Sequence, residues 1–257
     1  MRFLFLLGLV VSISIVSLAQ KRDEAPLPCI EKKFSIVAHI VLDSSGNANI
    51  LESDILDNID FLNQHFEPIC VSFEICDFNY VANYQYDSLH EDKERPEIRV
   101  KNDLKDRINM MFIEGIEEVD GICGKATVGG IGTSGFVNIL KSCVGPSDYT
   151  ISHELGHYFG LVHTFEGSGV ELADGSNCET AGDQICDTPA DPFVVGDPQE
   201  SYVKDCRFIS TKKDANDDFY NAHVGNIMSY YECQCEFTVG QYRKMAETYL
   251  NSSQTNW

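Results

Sequence analysis

Apolar and polar positions along the chain alternate in recognisable rhythms. Phe34 to Leu42, FSIVAHIVL, is β-branched and alternating and reads as a strand. Leu51 to Phe66 places Ile55, Ile59 and Leu62 at helical spacing, with Ser53 as a candidate cap. Cys70 to Phe78 reads as a second strand, and the polar stretch Asn79 to Arg95 as a loop. Ile98 to Lys101 and Ile108 to Ile113 are further strand candidates. Gly124 to Leu140, GKATVGGIGTSGFVNIL, suggests a strand, a glycine-rich bend and another strand. Ser147 to Phe159 is helical, with Ser147 at the N-cap. Gly167 to Ala222 carries no period and needs cross-links or bound ions to stay ordered. Phe237 to Leu250 closes the chain as an amphipathic helix. The pattern is an α/β lobe followed by an irregular lobe.

The first residues, MRFLFLLGLVVSISIVSLAQ, join a positive Arg2 to a short apolar run and the small residues Ser17 and Ala19. This predicts a signal peptide over 1–19 cleaved after Ala19, a secreted protein, and no membrane segment after cleavage. The formal net charge of -21 repels phosphate backbones, so nucleic acid is excluded as a partner. The excess of carboxylates fits a solvated acidic surface, or one in which some of them hold calcium. Ten cysteines behind a signal peptide imply up to five disulfides. Cys178, Cys186, Cys206, Cys233 and Cys235 are expected to staple the irregular lobe, with Cys206 joined to Cys178 or Cys235. Asn251-Ser-Ser is a glycosylation sequon.

HELGHYFGLVH at His153 to His163 carries the chemistry. His153 and His157, four apart on a helix, share a face and suit zinc. Glu154 reaches a water at the metal rather than the metal itself and suits a general base. Gly160 ends the helix in a left-handed turn and returns His163 as third ligand, leaving one position open. Five fixed residue types at this spacing arise by chance in such a chain with a probability on the order of 10⁻⁵. A purely structural zinc site would want a fourth protein ligand and no Glu154.

This motif resembles the elongated zinc motif of the metzincins, and NIMSY at Asn226 to Tyr230 resembles their methionine turn. HTFEG at His163 to Gly167, GDQICDTPA at Gly182 to Ala190 and CEFTVGQYRKM after Cys235 narrow the resemblance to the pappalysin-like (cytophagalysin) family. The close matches run from about Thr150 to Met245.

The resemblance implies an α+β metzincin-like zincin. Its N-terminal lobe has a twisted mixed sheet and two long helices, and its C-terminal lobe is irregular, disulfide-linked and ends in a helix. It implies a short N-terminal segment over 20–33 and a catalytic domain over 34–257, with lobes at 34–163 and 164–257. Met228 would floor the metal and Tyr230 would stabilise the oxyanion. Asp183 and Thr188, with carbonyls around Cys186, would hold calcium. An extended peptide or protein substrate would pair along Thr127 to Ile139. The implied activity is zinc-dependent endopeptidase, by a monomer. A catalytically silent binding module and a zinc hydrolase of non-peptide substrates are the competing readings. Metzincins usually carry a metal-blocking pro-segment; here only about a dozen residues precede the first strand. Cys29 could reach the metal as a thiolate or enter a disulfide.

Overall fold

The structure, a computed structural model, describes residues 25–89, 104–116, 121–131 and 136–252. The signal peptide and the strand candidate Ile98–Lys101 lie outside the described residues. Five strands build the main sheet: β1 (Lys32–Val41), β2 (Val71–Val81), β4 (Ile108–Ile113), β6 (Gly124–Lys125) and β7 (Phe136–Leu140). Their order is β2-β1-β4-β7-β6, parallel throughout except that β6 runs antiparallel to β7. All six residues of β4 are buried, as expected of a central parallel strand covered on both faces. The short pair β3 (Ser88–Leu89) and β5 (Gly115–Ile116) sits beside the sheet.

Helix α1 (Glu52–Phe66) presses Ile55, Ile59, Leu62 and Phe66 onto the sheet, each worth about 1.5–3 kcal/mol of burial. Its N-cap is Leu51, not Ser53, which already lies inside the first turn. Glu52 and Asp54 there complement the positive helix end without a side-chain cap. Ser147 does not cap helix α2 (Thr150–Tyr158) either. Its φ of +63° puts it in a left-handed turn, and the Asp148 carboxylate accepts from Thr150 N–H at 2.8 Å in its place. Helix α2 is therefore nine residues, shorter than the pattern predicted.

The expected irregular lobe contains one small hairpin, β8 (Val203–Lys204) and β9 (Arg207–Phe208), and then helix α3 (Val239–Asn251). Thr238 and Gln241 form a capping box at the start of α3. Two cores result. In the larger, Phe34, Phe66, Phe73 and Phe159 meet at ring distances of 5.0–6.1 Å, and Phe237 and Tyr249 reach them from the end of the chain. The smaller gathers Phe165, Phe193, Tyr202, Ala222 and Tyr231. There the buried Asp191 carboxylate accepts from Tyr231 O–H at 2.7 Å, Thr164 O–H at 2.8 Å and Phe193 N–H at 3.1 Å.

Four disulfides, not five, join Cys29–Cys70, Cys123–Cys143, Cys178–Cys186 and Cys206–Cys233. Cys206 thus pairs with neither expected partner. Cys178 takes its near neighbour Cys186, the hairpin brings Cys206 to Cys233, and Cys76 and Cys235 keep exposed thiols.

Candidate metal centre and cleft

Helix α2 projects His153 and His157 from one face, and the chain turns at Gly160 to return His163. Gly160 has φ +96°, and a Cβ there would lie 2.5 Å from Thr248 Oγ1 on α3, so both backbone and space require glycine. One ligand atom from each of the three histidines lies within 4.8 Å of the others. His153 Nδ1–H donates to Ile227 C=O at 2.7 Å, and His157 Nδ1–H donates to Leu161 C=O at 2.8 Å. Those bonds fix the tautomers and leave both Nε2 lone pairs facing one point, 3.1 Å from His163 Nε2 in the case of His157. Burial, before any neighbouring charge, pushes all three imidazoles down, His153 to about 3, so they are neutral donors at neutral pH. Three neutral imidazoles converging on a point, those of His153 and His157 held from behind by carbonyls, fit a tetrahedral cation with one open position.

Glu154 is 4 % exposed, and its Oε2 has no hydrogen-bond partner. Burial pushes its carboxyl up to about 8, while the Ala126 amide and Lys125 pull the other way. A buried carboxylate left half-satisfied beside a cleft has the character of a proton carrier. Gly124 makes room for it. A Cβ at Gly124 would stand 2.7 Å from Glu154 Cγ and 2.9 Å from Asn138 C=O.

Met228 is fully buried beneath α2, and a Cβ at Gly156 would meet its Sδ at 2.5 Å. Met228 N–H donates to Asn226 Oδ1 at 2.8 Å, and Met228 C=O accepts from Thr164 N–H at 3.2 Å, next to the third histidine. Asn226 and Gln241 exchange two side-chain amide bonds of 2.9 and 3.0 Å, tying this turn to α3. Tyr230 is half-buried; its ring lies 4.7 Å from that of His163 and 5.8 Å from that of His153. Burial and then the Glu154 charge push its phenol up, so it stays protonated as a donor.

The residues named for calcium are also close together. The Asp183 carboxylate, buried and pushed up to about 6 mainly by desolvation, accepts from Thr188 O–H and from Ile185 N–H at 2.9 Å. Thr188 therefore buttresses Asp183. Sequence reading missed Glu171, a buried carboxylate pushed up to about 7 by desolvation and by the charges of Asp183 and Asp191. It sits against Gly182, where no side chain would fit. Gly156 did carry a signal, since glycine inside a helix costs about 1 kcal/mol relative to alanine and calls for a close neighbour. Gly124 and Glu171 carried none, because their neighbours are distant in sequence.

Among the described residues the outermost strand of the sheet beside the three histidines is β6, Gly124–Lys125, while the run expected to pair with substrate, Thr127 to Ile139, lies in part outside the described residues. Strand β7 is covered on one side by β4 and on the other by β6. Gly129 N–H and Ile131 N–H bond back to His157 and Tyr158 carbonyls, which turns Thr127–Ile131 away from the edge. The cleft lies along β6 with the histidines and Glu154 at its floor. Cys29 does not reach it, being held to Cys70 at the start of β2.

Two family models match the chain. The one described as pregnancy-associated plasma protein-A, peptidase family M43, matches residues 136–250. The one described as metallo-peptidase family M12B, reprolysin-like, matches residues 53–164. An extracellular metalloprotease of Colletotrichum graminicola is 28% identical over 227 residues, covering 80% of this chain and 72% of that one. One of Podospora anserina is 28% identical over 240 residues, covering 86% and 73%. Among solved structures, mirolysin superposes with a TM-score of 0.61 at 18% identity, covering 89% of this chain and 94% of that chain, which is a likeness of fold.

Proposed function

We propose that the chain is a metzincin-type metalloprotease, a secreted zinc endopeptidase with His153, His157 and His163 as ligands and Glu154 as general base. The convergence of three imidazoles on one point, two of them tautomer-fixed, with a carboxylate oxygen left unpartnered beside it, carries this reading. Zinc held there would polarise the peptide carbonyl and the attacking water.

Glu154 takes the proton from that water and delivers it to the leaving nitrogen, a task suited to a carboxyl whose pKa burial has brought near neutrality. Tyr230 donates its phenolic hydrogen to the developing oxyanion. Met228 holds the histidines from below. An extended peptide lies along β6, adding a strand beside it. Asp183 and Thr188, with carbonyls around Cys186, would hold a calcium ion in the irregular lobe, and the negative charge of Asp183 felt at buried Glu171 is what a cation there would relieve.

Secretion is supported by the relatives named extracellular and by the apolar run of 1–19. No helix among the described residues is long and apolar enough to cross a membrane. The mature chain then begins near Gln20, and N-terminal sequencing of secreted protein checks this.

The test uses that mature chain on a degenerate peptide library. The wild type should cleave, a zinc chelator should stop it and added zinc should restore it. Glu154→Gln should lower kcat/KM by about 10²–10⁴-fold with melting preserved. Persistent cleavage by that variant would remove Glu154 from the mechanism.

A further inference from the structure

The cleft has two unlike halves. The half beside Ala126, Val128 and Val162 is about 350 Å³ and mainly apolar. The half beside Gly121–Gly124 is about 210 Å³ and is lined by Thr150, Gln199 and Gln234; among its described lining residues Glu154 is the only carboxylate. Resting on the endopeptidase reading, we propose that this second half receives the side chain that follows the scissile bond. Gln199 and Gln234 there select an uncharged side chain that both donates and accepts hydrogen bonds, namely glutamine or asparagine.

The assignment of the half follows from strand direction. A peptide adding antiparallel to β6, the slightly more stable mode, runs from the Ala126 side toward the Gly121 side. The residue past the cleaved bond then faces Gly121–Cys123. Ile122 and the Cys123–Cys143 disulfide give that half an apolar side wall able to take the methylenes of a glutamine.

The chemistry of its far wall is fixed by two amides. Gln234 Nε2 donates to Ile227 C=O at 2.8 Å and to Ser229 C=O at 2.7 Å. Both acceptors are carbonyls, so the amide cannot flip, and its Oε1 is left as a fixed acceptor. Gln199 comes from the same lobe, just ahead of the β8–β9 hairpin, and its backbone is anchored. Its carbonyl accepts from Tyr202 N–H at 2.9 Å, and Asp197, two residues earlier, accepts from the Tyr202 hydroxyl and pairs with Lys212 at 3.1 Å. The Gln199 side chain has no hydrogen-bond partner among the described residues, so its amide is available as donor and acceptor.

A substrate carboxamide satisfies both, giving N–H to Gln234 and taking N–H from Gln199. A carboxylate meets the Gln234 oxygen as two acceptors facing each other. Among the described lining residues, arginine or lysine finds no counter-charge other than the Glu154 used in the reaction. Leucine leaves the amides unpaired, the situation in which polar sites discriminate most strongly.

The experiment is cleavage-site profiling of the zinc-loaded mature chain on a degenerate peptide library read by mass spectrometry. Glutamine and asparagine should be favoured after the bond by about tenfold or more in kcat/KM over arginine and leucine. Gln199→Glu should shift that position toward lysine and arginine by a similar factor, and Gln199→Leu toward leucine and methionine. Gln199 is chosen because its side chain supports nothing else, whereas replacing Gln234 would disturb the turn it holds. A wild type that prefers arginine or leucine, or a Gln199→Glu profile that does not move, overturns the proposal. Cleavage of no peptide at all overturns the endopeptidase reading instead, a result distinct from cleavage without this preference.

Discussion

The two lobes are held together by different physics. The sheet lobe is a hydrocarbon core, with aromatic rings of Phe34, Phe66, Phe73 and Phe159 locked edge to face between sheet and helices. The lobe after His163 has little regular structure and organises itself around buried oxygens. Asp191 satisfies three donors, and Asp183 is held by Thr188. Non-directional packing tolerates substitutions of similar volume; buried polar networks need every partner. The candidate metal site straddles the two, with its histidines on or just after a helix of the first lobe and Met228 beneath them in the second.

The contrast is open to attack at several strengths. Phe66→Ala should cost about 3–5 kcal/mol, since it empties the meeting point of three other rings. Because Phe237 is one of those rings, the loss should appear as one lowered transition for the whole molecule in calorimetry. Two separated transitions would show that the lobes unfold independently.

Calcium at about a hundred times its Kd should add about 2.7 kcal/mol. That gain should appear as slowed amide exchange over 170–191, with β1 and β4 unaffected. No change in melting between calcium and a calcium chelator would remove Asp183 and Glu171 from any ion site.

The smallest effect belongs to a polar knot on the sheet lobe. The Asp43 carboxylate accepts from the Ser45 and Asn47 amides and from the Asn49 side chain, and the Asn47 amide foremost lowers its pKa to about 2. A depressed folded pKa stabilises above the unfolded value of 3.8 and is lost as pH falls toward about 2. Asp43→Asn should therefore melt slightly below the wild type at pH 7, the gap closing as pH falls to about 2. Because the group is exposed, the gap is small, and a gap equal to that of Phe66→Ala would contradict the contrast drawn here.

Sequence made the meeting of the three histidines legible because its logic is local. A four-residue spacing on a helix and one glycine after it bring three imidazoles within reach, and Met228 and Tyr230 follow in a short run. The strands of the sheet were legible for the same reason, through alternation and burial. The two helix caps were misread because Ser53 and Ser147 have the right side chains but the wrong backbone. One lies inside the first turn and the other has positive φ. The cysteine pairs and Glu171 depend on how an irregular chain doubles back. Gly124 needs its lack of a side chain because of a carboxylate thirty residues later. Nothing within a window of neighbouring residues encodes such distances.

One carbonyl joins parts that selection would treat separately. Ile227 C=O accepts from the ring of His153 and also from the amide of Gln234. The proposed metal ligand and the proposed wall of the substrate cleft therefore share one acceptor. Changing what the enzyme cuts by replacing Gln234 also alters the electron density offered to the cation, so taste and turnover are inherited together at that position. Gln199, with no such tie, is where diversification among related enzymes can proceed without a toll on the metal.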